Sequence, residues 1–213
     1  MKSLLSIILF VLISSNVSFS QDAKAQGILD KLSSKMKGLK SFYIEFNATI
    51  KNSETGTNES QSGKGWVKGN KFSASYGENT IISNGLKTWT IVKEEKSVYE
   101  SDAANDDDGL NPKKLMTIWE NGFKNKFIKE DKLNGESVSV IDLYPKNPSK
   151  AEYHTIVVYI SKGDAELKKA IMKAKDGTVM TYSLTKFQEN PDIDESKFVF
   201  DKKKYPGYPV IKD

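Results

Sequence analysis

Few residues in this 213-residue chain could carry chemistry, and their spacing argues against most reactions. There is no cysteine, hence no thiol nucleophile, no thiolate metal site and no disulfide framework. His154 is the only histidine, set in the run Tyr153-His154-Thr155-Ile156-Val157-Val158, so only carboxylates could complete a zinc site. The pairs Glu94-Glu95 and Asp192/Asp194 fall in turns and polar loops. Two carboxylates serve a glycosidase when they face each other in space, and nothing in these surroundings suggests that arrangement. Ser101 to Gly109 is acidic, but aligning Gly109 with the glycine of a calcium loop puts Ala104 at the first ligand position and Leu115 at the last. The pattern fails at both ends. No serine occupies a nucleophile elbow, and no glycine-rich loop could cradle phosphate. The chain offers no catalytic residue, no metal site and no cofactor motif, so the expectation is a protein that is not an enzyme.

Charge narrows the partners. All 32 basic residues are lysine, against 28 acidic residues, for a net charge of +4. Without arginine the chain lacks the usual bidentate reader of guanine and phosphate, which argues against nucleic acid. The lysines alternate with acids along most of the chain, as solvated strand faces do.

Residues 1–20 read as a secretory signal peptide: Lys2 gives the positive start, Leu4 to Ile13 the short apolar stretch, and Ser18-Phe19-Ser20 the small-x-small site. Cleavage after Ser20 takes the net charge to +3, because Lys2 is the one charge removed. The expected mature chain, 21–213, is a single exported domain in the periplasm. It has no cysteine to carry a lipid anchor, and a monomer is expected.

The elements that must position any site are mostly strands. Asp22 to Lys40 has Ile28, Leu29, Leu32, Met36 and Leu39 at helical steps. Ser41 to Lys51 switches to period two, with Phe42, Ile44, Phe46, Ala48 and Ile50 on one side and Tyr43, Glu45, Asn47 and Thr49 on the other. Asn52 to Ser62 is polar and reads as a loop or hairpin tip. From Gly65 to Tyr99 short strands alternate with turns at Gly69-Asn70, Gly77-Glu78 and Asn84-Gly85. Pro112 to Trp119 predicts a second short helix with Leu115, Met116, Ile118 and Trp119 as its apolar stripe. Strand patterns then run from Phe123 to Phe187, with turns at Asn134-Gly135 and Asp176-Gly177, and Phe198-Val199-Phe200 reads as a last strand. About eleven strands joined by hairpin turns predict a mainly β, α+β fold: a curled antiparallel sheet, a half-barrel, whose concave face the short helices cover. The large apolar side chains of the Gly65–Tyr99 block, with almost no reactive groups among them, suit a protein that holds something apolar.

Several ordered pieces resemble the periplasmic carriers of outer-membrane lipoproteins, the LolA-like family. They are the N-terminal helix running into Lys40-Ser41-Phe42, then Gly65-Trp66-Val67-Lys68, Ile82-Ser83-Asn84-Gly85 with Lys87-Thr88-Trp89, the proline-started Pro112–Trp119 segment, and Asp194-Glu195-Ser196-Lys197-Phe198-Val199-Phe200. The resemblance implies a soluble chaperone that takes lipoprotein acyl chains into an apolar cavity and carries them from the inner to the outer membrane. It implies an ATP-driven inner-membrane release complex and an outer-membrane acceptor as partners. On this reading Phe42, Ile44, Phe46, Phe72, Trp89 and Ile91 line the concave face, and Leu115, Met116 and Trp119 belong to the lid. Trp66 shares its strand face with Lys64 and Lys68, which places it outside or at an edge. The best-known branch carries a lid-latching arginine just after the Trp-Val-Lys segment. Here that place is Gly69-Asn70, with Lys68 and Lys71 as the neighbouring donors. The alternatives are a lipoprotein- or lipid-sensing module of the same fold without a transport role and, third, an exported hydrolase.

Overall fold

The computed structural model describes residues 22–105 and 116–212. The signal segment, Asp106, Asp107, Asp108 and Gly109 of the acidic stretch, the start of the second helix at Pro112 and the lid residue Leu115 lie outside the described residues.

The first element is a helix, α1 (Ala23–Gly38), because Ala25, Leu29, Leu32 and Met36 recur on one stripe and are all buried. Asp22 starts it: its Oδ1 accepts from the backbone N–H of Lys24 at 2.9 Å and of Ala25 at 3.1 Å, satisfying two of the helix's free donors. The second oxygen, Oδ2, accepts from Phe127 N–H at 3.0 Å. One carboxylate thus caps the helix and ties it to a strand more than a hundred residues away.

Twelve strands follow: β1 (Ser41–Asn52), β2 (Thr57–Lys68), β3 (Lys71–Tyr76), β4 (Asn79–Ser83), β5 (Lys87–Val92), β6 (Ser97–Asp102), β7 (Phe123–Leu133), β8 (Glu136–Pro145), β9 (Tyr153–Ser161), β10 (Leu167–Ala174), β11 (Val179–Glu189) and β12 (Val210–Lys212). They form one open curled sheet in the order β12-β6-β5-β4-β3-β2-β1-β11-β10-β9-β8-β7. The chain enters at the middle, runs out to one edge, re-enters at the far edge as β7, and returns to lie beside β1. Most neighbours are antiparallel hairpins. At the β7–β8 turn Asn134 and Gly135 both have positive φ, 51° and 85°, the pair of angles that matches the twist of the flanking strands.

The structure departs from the expected elements at four places. Residues 57–62 are not loop but the first half of β2, paired with β1 from Asn52↔Thr57 onward. Pairing of the backbone decides there, since the polar side chains carry no apolar alternation. Phe198 ends a 3-10 turn, Glu195–Phe198, instead of starting a strand. The final strand is β12, and it runs parallel to β6, so the sheet has twelve strands and is not wholly antiparallel. The described part of the second helix is a turn and a 3-10 turn, Ile118–Glu120.

The parallel pair follows from topology. β11 ends beside β1, whereas β12 lies beyond β6, so residues 190–209 must cross the outer face over the intervening strands. On the way Phe200, Tyr205, Tyr208 and Val210 pack on Ile82, Ile91, Val98 and Trp89. Trp89 stacks on Phe200 at 5.5 Å, and Phe200 on Tyr205 at 5.8 Å. Trp89 and Ile91, expected on the concave face, therefore lie on the opposite one. Register fixes this: Ser73, Ile82, Trp89 and Glu100 are successive cross-strand partners, and partners share a face. Glu100 accepts from the Trp89 indole at 3.0 Å and pairs with Lys87, and Lys87 and then Trp89 hold its carboxyl below the usual range.

Two outcomes are expected. Phe200→Ala, which uncovers the Trp89 ring, should cost about 1–2 kcal/mol in denaturant unfolding and red-shift tryptophan emission. Asp22→Ala should lower the melting temperature by roughly 2–4 °C. The Asp22 pKa is depressed by backbone donors, first Ala25 and then Phe127, so its contribution is full above the ordinary Asp pKa and fades as pH falls through the depressed value. The gap between wild type and variant should accordingly close in acid melts below about pH 4.

Candidate functional site: an uncovered apolar strip on the inner face

The inner face of the sheet is the one α1 packs on. Phe42, Ile44, Val67, Phe72 and Ile81 from one half, and Ile141, Leu143, Ile156, Val158 and Ile160 from the other, form a single cluster with the buried stripe of α1. Met116 and Trp119 belong to that cluster at 3% and 5% exposure. The Trp119 indole donates to Ser33 Oγ of α1 at 2.8 Å. Met116 and Trp119 are thus packed against α1.

The helix is fastened mainly to the β7–β11 side. Asp22 holds β7, Asn125 Nδ2 donates to Gln26 Oε1 at 2.7 Å, and Lys24 pairs with Glu130 at 3.3 Å. Lys35 is the strongest clamp. Its Nζ reaches Glu189 at 2.6 Å, Glu166 at 3.0 Å and the Asp164 carbonyl at 2.8 Å. Burial disfavours the Lys35 charge, yet the bonds to Glu189 and Glu166 outweigh it and raise the pKa.

The C-terminal end of α1 is held as well, since beside the Lys35 clamp Lys37 pairs with Glu120 at 3.1 Å. Where this end approaches the β2–β3 turn, two clefts open. One, of about 160 Å³, is lined by Met36, Leu39, Phe42 and Val67; the other, of about 270 Å³, by Val67, Phe72, Ser83 and Ala103. Gly69 borders both, at the place that corresponds to the family arginine. Lys68 and Lys71 do not substitute for it. Both point to the outer face and pair with Glu195, at 2.8 and 2.7 Å, pinning the crossing tail instead of the helix.

Further from α1, toward the β1–β2 and β10–β11 hairpin tips, the inner face stays apolar but is only half-buried. Phe46 stacks on Tyr76 at 6.2 Å and tilts against Tyr182 at 6.4 Å. Register sets Ile50, Met180 and Met172 in one row and Phe46 beside Leu184. Burial raises the pKa of Tyr182, with Tyr76 adding to it, and burial followed by Glu59 raises that of Tyr76, as expected of phenols on a largely dry surface. Ser83 and Thr88, 3.2 Å apart and buried, continue the Phe72 row onto β4 and β5.

Four of the six expected face residues, Phe42, Ile44, Phe46 and Phe72, thus share the helix-covered face, with Phe46 reaching the open strip; Trp89 and Ile91 do not. Trp66 is on the outer face against Tyr43, 5.0 Å away. Sequence reasoning missed Tyr76, Met172, Met180, Tyr182 and Leu184. The signal was present in the alternations Phe72-Ala74-Tyr76 and Met180-Tyr182-Leu184. None of the residues weighed for catalysis is near this strip: His154 is exposed beside Thr155, and Asp194 caps a 3-10 turn. Among the described residues no cluster of three or more His, Asp or Glu could hold a metal, and no helix is long and apolar enough to cross a membrane.

The sequence model of the family described as outer membrane lipoprotein carrier protein LolA matches residues 37–201. The chain belongs to the LolA family. No curated protein matches it in sequence. Among solved structures it is similar to an uncharacterized conserved protein from Thermus thermophilus, at 14% identity and a TM-score of 0.56 over 89% of this chain and 99% of that one. It is also similar to LprF from Mycobacterium bovis, at 14% identity and 0.51 over 82% and 97%. A LolA superfamily protein from Nitrosomonas europaea matches at 13% identity and 0.43 over 83% and 97%. At such identities the likeness is one of fold: this LolA chain shares the open curled sheet with its helix on one face.

Gly63 is what lets the Phe46 ring lie flat across this LolA family member's β2. A Cβ there would sit 2.2 Å from Phe46 Cζ, so Gly63→Ala must push the ring aside. The moving atoms are the far end of a half-buried side chain, so the variant should remain folded. Loss of Phe46–Tyr182 proton contacts by NMR, with the amide pattern of α1 unchanged, is the expected result.

Proposed function

We propose that this chain is a soluble exported carrier, cleaved after Ser20 to a single domain spanning 21–213, that holds the acyl chains of lipoproteins against the inner face of its sheet. The half-buried strip of Phe46, Tyr76, Met172, Met180, Tyr182 and Leu184 carries the reading. An acyl chain gains about 0.8 kcal/mol for each methylene it buries, so a lipoprotein does not leave a bilayer unless a protein surface replaces the membrane. A sheet face left half-wet by its own helix supplies that surface at little cost, because no well-packed core must be broken to reach it. The clefts beside the C-terminal end of α1 would extend the site for longer chains, while Asp22, Lys35 and Lys37 keep the helix attached. Cargo would come from an ATP-driven complex in the inner membrane and pass to an acceptor at the outer membrane. The family membership and the absence of any assembled reactive constellation at the strip both favour binding over catalysis.

Two measurements test this. An apolar fluorescent probe should bind and be displaced by a free acyl chain; Tyr182→Asp should weaken binding at least about tenfold, while Trp89→Phe, on the other face, should leave it unchanged. The purified protein should also release newly made lipoprotein from membrane-stripped cells into solution. Probe binding without release, in demonstrably folded protein, would reduce the reading to a lipid-binding module without a transport role.

A further inference from the structure

The strip lies toward the β1–β2 and β10–β11 hairpin tips. At the opposite end of the sheet, α1 and the strand ends leave a groove of about 390 Å³, a volume in the range of small-molecule sites. Its walls are small: Ala23 and Gly27 on α1, and Ala165 on the turn between β9 and β10. Ser139 of β8 belongs to the lining and is only 4% exposed. As the cross-strand partner of Glu130 on β7 and Ile160 on β9, it points to the face that α1 packs on. Its hydroxyl nevertheless has no hydrogen-bond partner among the described residues. The neighbouring Ser161 Oγ, by contrast, accepts from Asp164 N–H at 3.3 Å. Buried hydroxyls are ordinarily paired, so one left open in the lining of a groove calls for a polar ligand atom.

Gly27 and the lysines narrow the chemistry of the ligand. A Cβ at Gly27 would meet no atom within 4 Å, so packing leaves room for alanine, the better helix former. Glycine at that point keeps the helix wall bare. Three lysines, Lys24, Lys31 and Lys162, and one carboxylate, Glu130, border the groove. Glu130 pairs with Lys24 at 3.3 Å and with Lys162 at 2.6 Å. Lys24 also lies 3.7 Å from the centre of the Phe127 ring and is fully engaged. Lys162 has further N–H donors beyond the one that Glu130 takes, and Lys31 has no partner among the described residues. Asp131, Glu136 and Glu166 nearby are held by other lysines, Asp131 by Lys129, Glu136 by Lys168, and Glu166 by Lys35 and Lys168. The groove therefore carries an excess of positive charge. An uncharged acyl chain would answer neither the hydroxyl nor that excess, and a cation would add to it. A phosphate monoester answers both, because it carries about −1.5 to −2 charge at pH 7 and several strong acceptor oxygens.

We propose that the groove between the first half of α1 and β8 binds a phosphate monoester, whose oxygens accept from Ser139 Oγ and from the ammonium groups of Lys31 and Lys162. The site stands at the other end of the sheet from the strip, so cargo and phosphate can be held together. A soluble phosphomonoester and the head group of phosphatidic acid present the same group, and the test separates them.

The test uses the full mature chain at low ionic strength. It is titrated with glycerol 3-phosphate by amide NMR and, separately, sedimented with phosphatidylcholine vesicles with or without phosphatidic acid. One expected result is a saturable shift centred on Ser139 with a Kd at or below about 1 mM, which assigns a soluble monoester. The other is sedimentation that requires phosphatidic acid, which assigns a lipid head group. Ser139→Ala should weaken the observed binding about fivefold. It should leave the melting temperature at or above that of wild type, because no hydrogen bond within the protein is lost. Gly27→Leu, which fills the groove, should abolish the binding. Both variants should bind the apolar probe as wild type does, which shows them folded and separates this result from the lipid reading. No shift up to about 10 mM, together with no sedimentation that depends on phosphatidic acid, overturns the proposal. So does binding that Ser139→Ala and Gly27→Leu leave intact, which would place the phosphate on exposed lysines alone.

Discussion

Among the described residues a single α-helix, α1, has to cover the inner face of a twelve-stranded sheet, and it is too short to do so. At 1.5 Å per residue the sixteen residues of α1 span roughly 24 Å. Twelve strands at a spacing near 4.8 Å would extend roughly 53 Å if laid flat. Curling brings the strands toward the helix, and α1 then buries the inner side chains of β7–β9 and the first residues of β1, with Met116 and Trp119 filling in between. The hairpin-tip half of β10, β11, β1 and β2 is left over. On β10, β11 and β1 its inner side chains are apolar because those strands alternate, whereas β2 contributes Gln61 and Glu59 there, and the strip remains half-wet because nothing in the described chain covers it.

The outer face meets the same geometric problem differently. Its apolar group, Ile82, Ile91, Val98 and Trp89, is small and lies wholly on β4–β6, and the crossing tail seals it with stacked aromatics before adding β12 to the edge. The two faces are thus covered to different degrees by elements of different kinds. Lys68 and Lys71 belong to the outer arrangement through Glu195, so the C-terminal end of α1 is latched by Lys35 and Lys37 and not from the Gly69 turn. Fastening is instead concentrated at Asp22 and Lys35, where carboxylates and an ammonium group join the helix to β7, β11 and the β9–β10 turn.

Much of this was legible in the sequence. The period-two pattern of Phe42, Ile44 and Phe46 and the helical steps of Leu29, Leu32 and Met36 state which face meets which helix. Trp89 and Ile91 were misplaced because their strand is apolar on the face that the tail covers, and alternation cannot tell which covering element a face will meet. Residues 57–62 were invisible as strand because their partner, β1, supplies the hydrogen bonds while their side chains stay in water. The tyrosine and methionine part of the strip was overlooked for a related reason: Tyr76, Tyr182 and Met180 become neighbours only when β11, from the end of the chain, pairs with β1.

The central claim is that the uncovered strip, and not the outer face, is where an acyl chain lies. Methyl-labelled methionine NMR with a spin-labelled fatty acid addresses it directly, since Met172 and Met180 sit in the strip while the Trp89 indole reports on the opposite face. The account predicts strong broadening of the Met172 and Met180 methyl signals, with Trp89 unaffected. Broadening centred on Trp89, or equal at all sites, would contradict it.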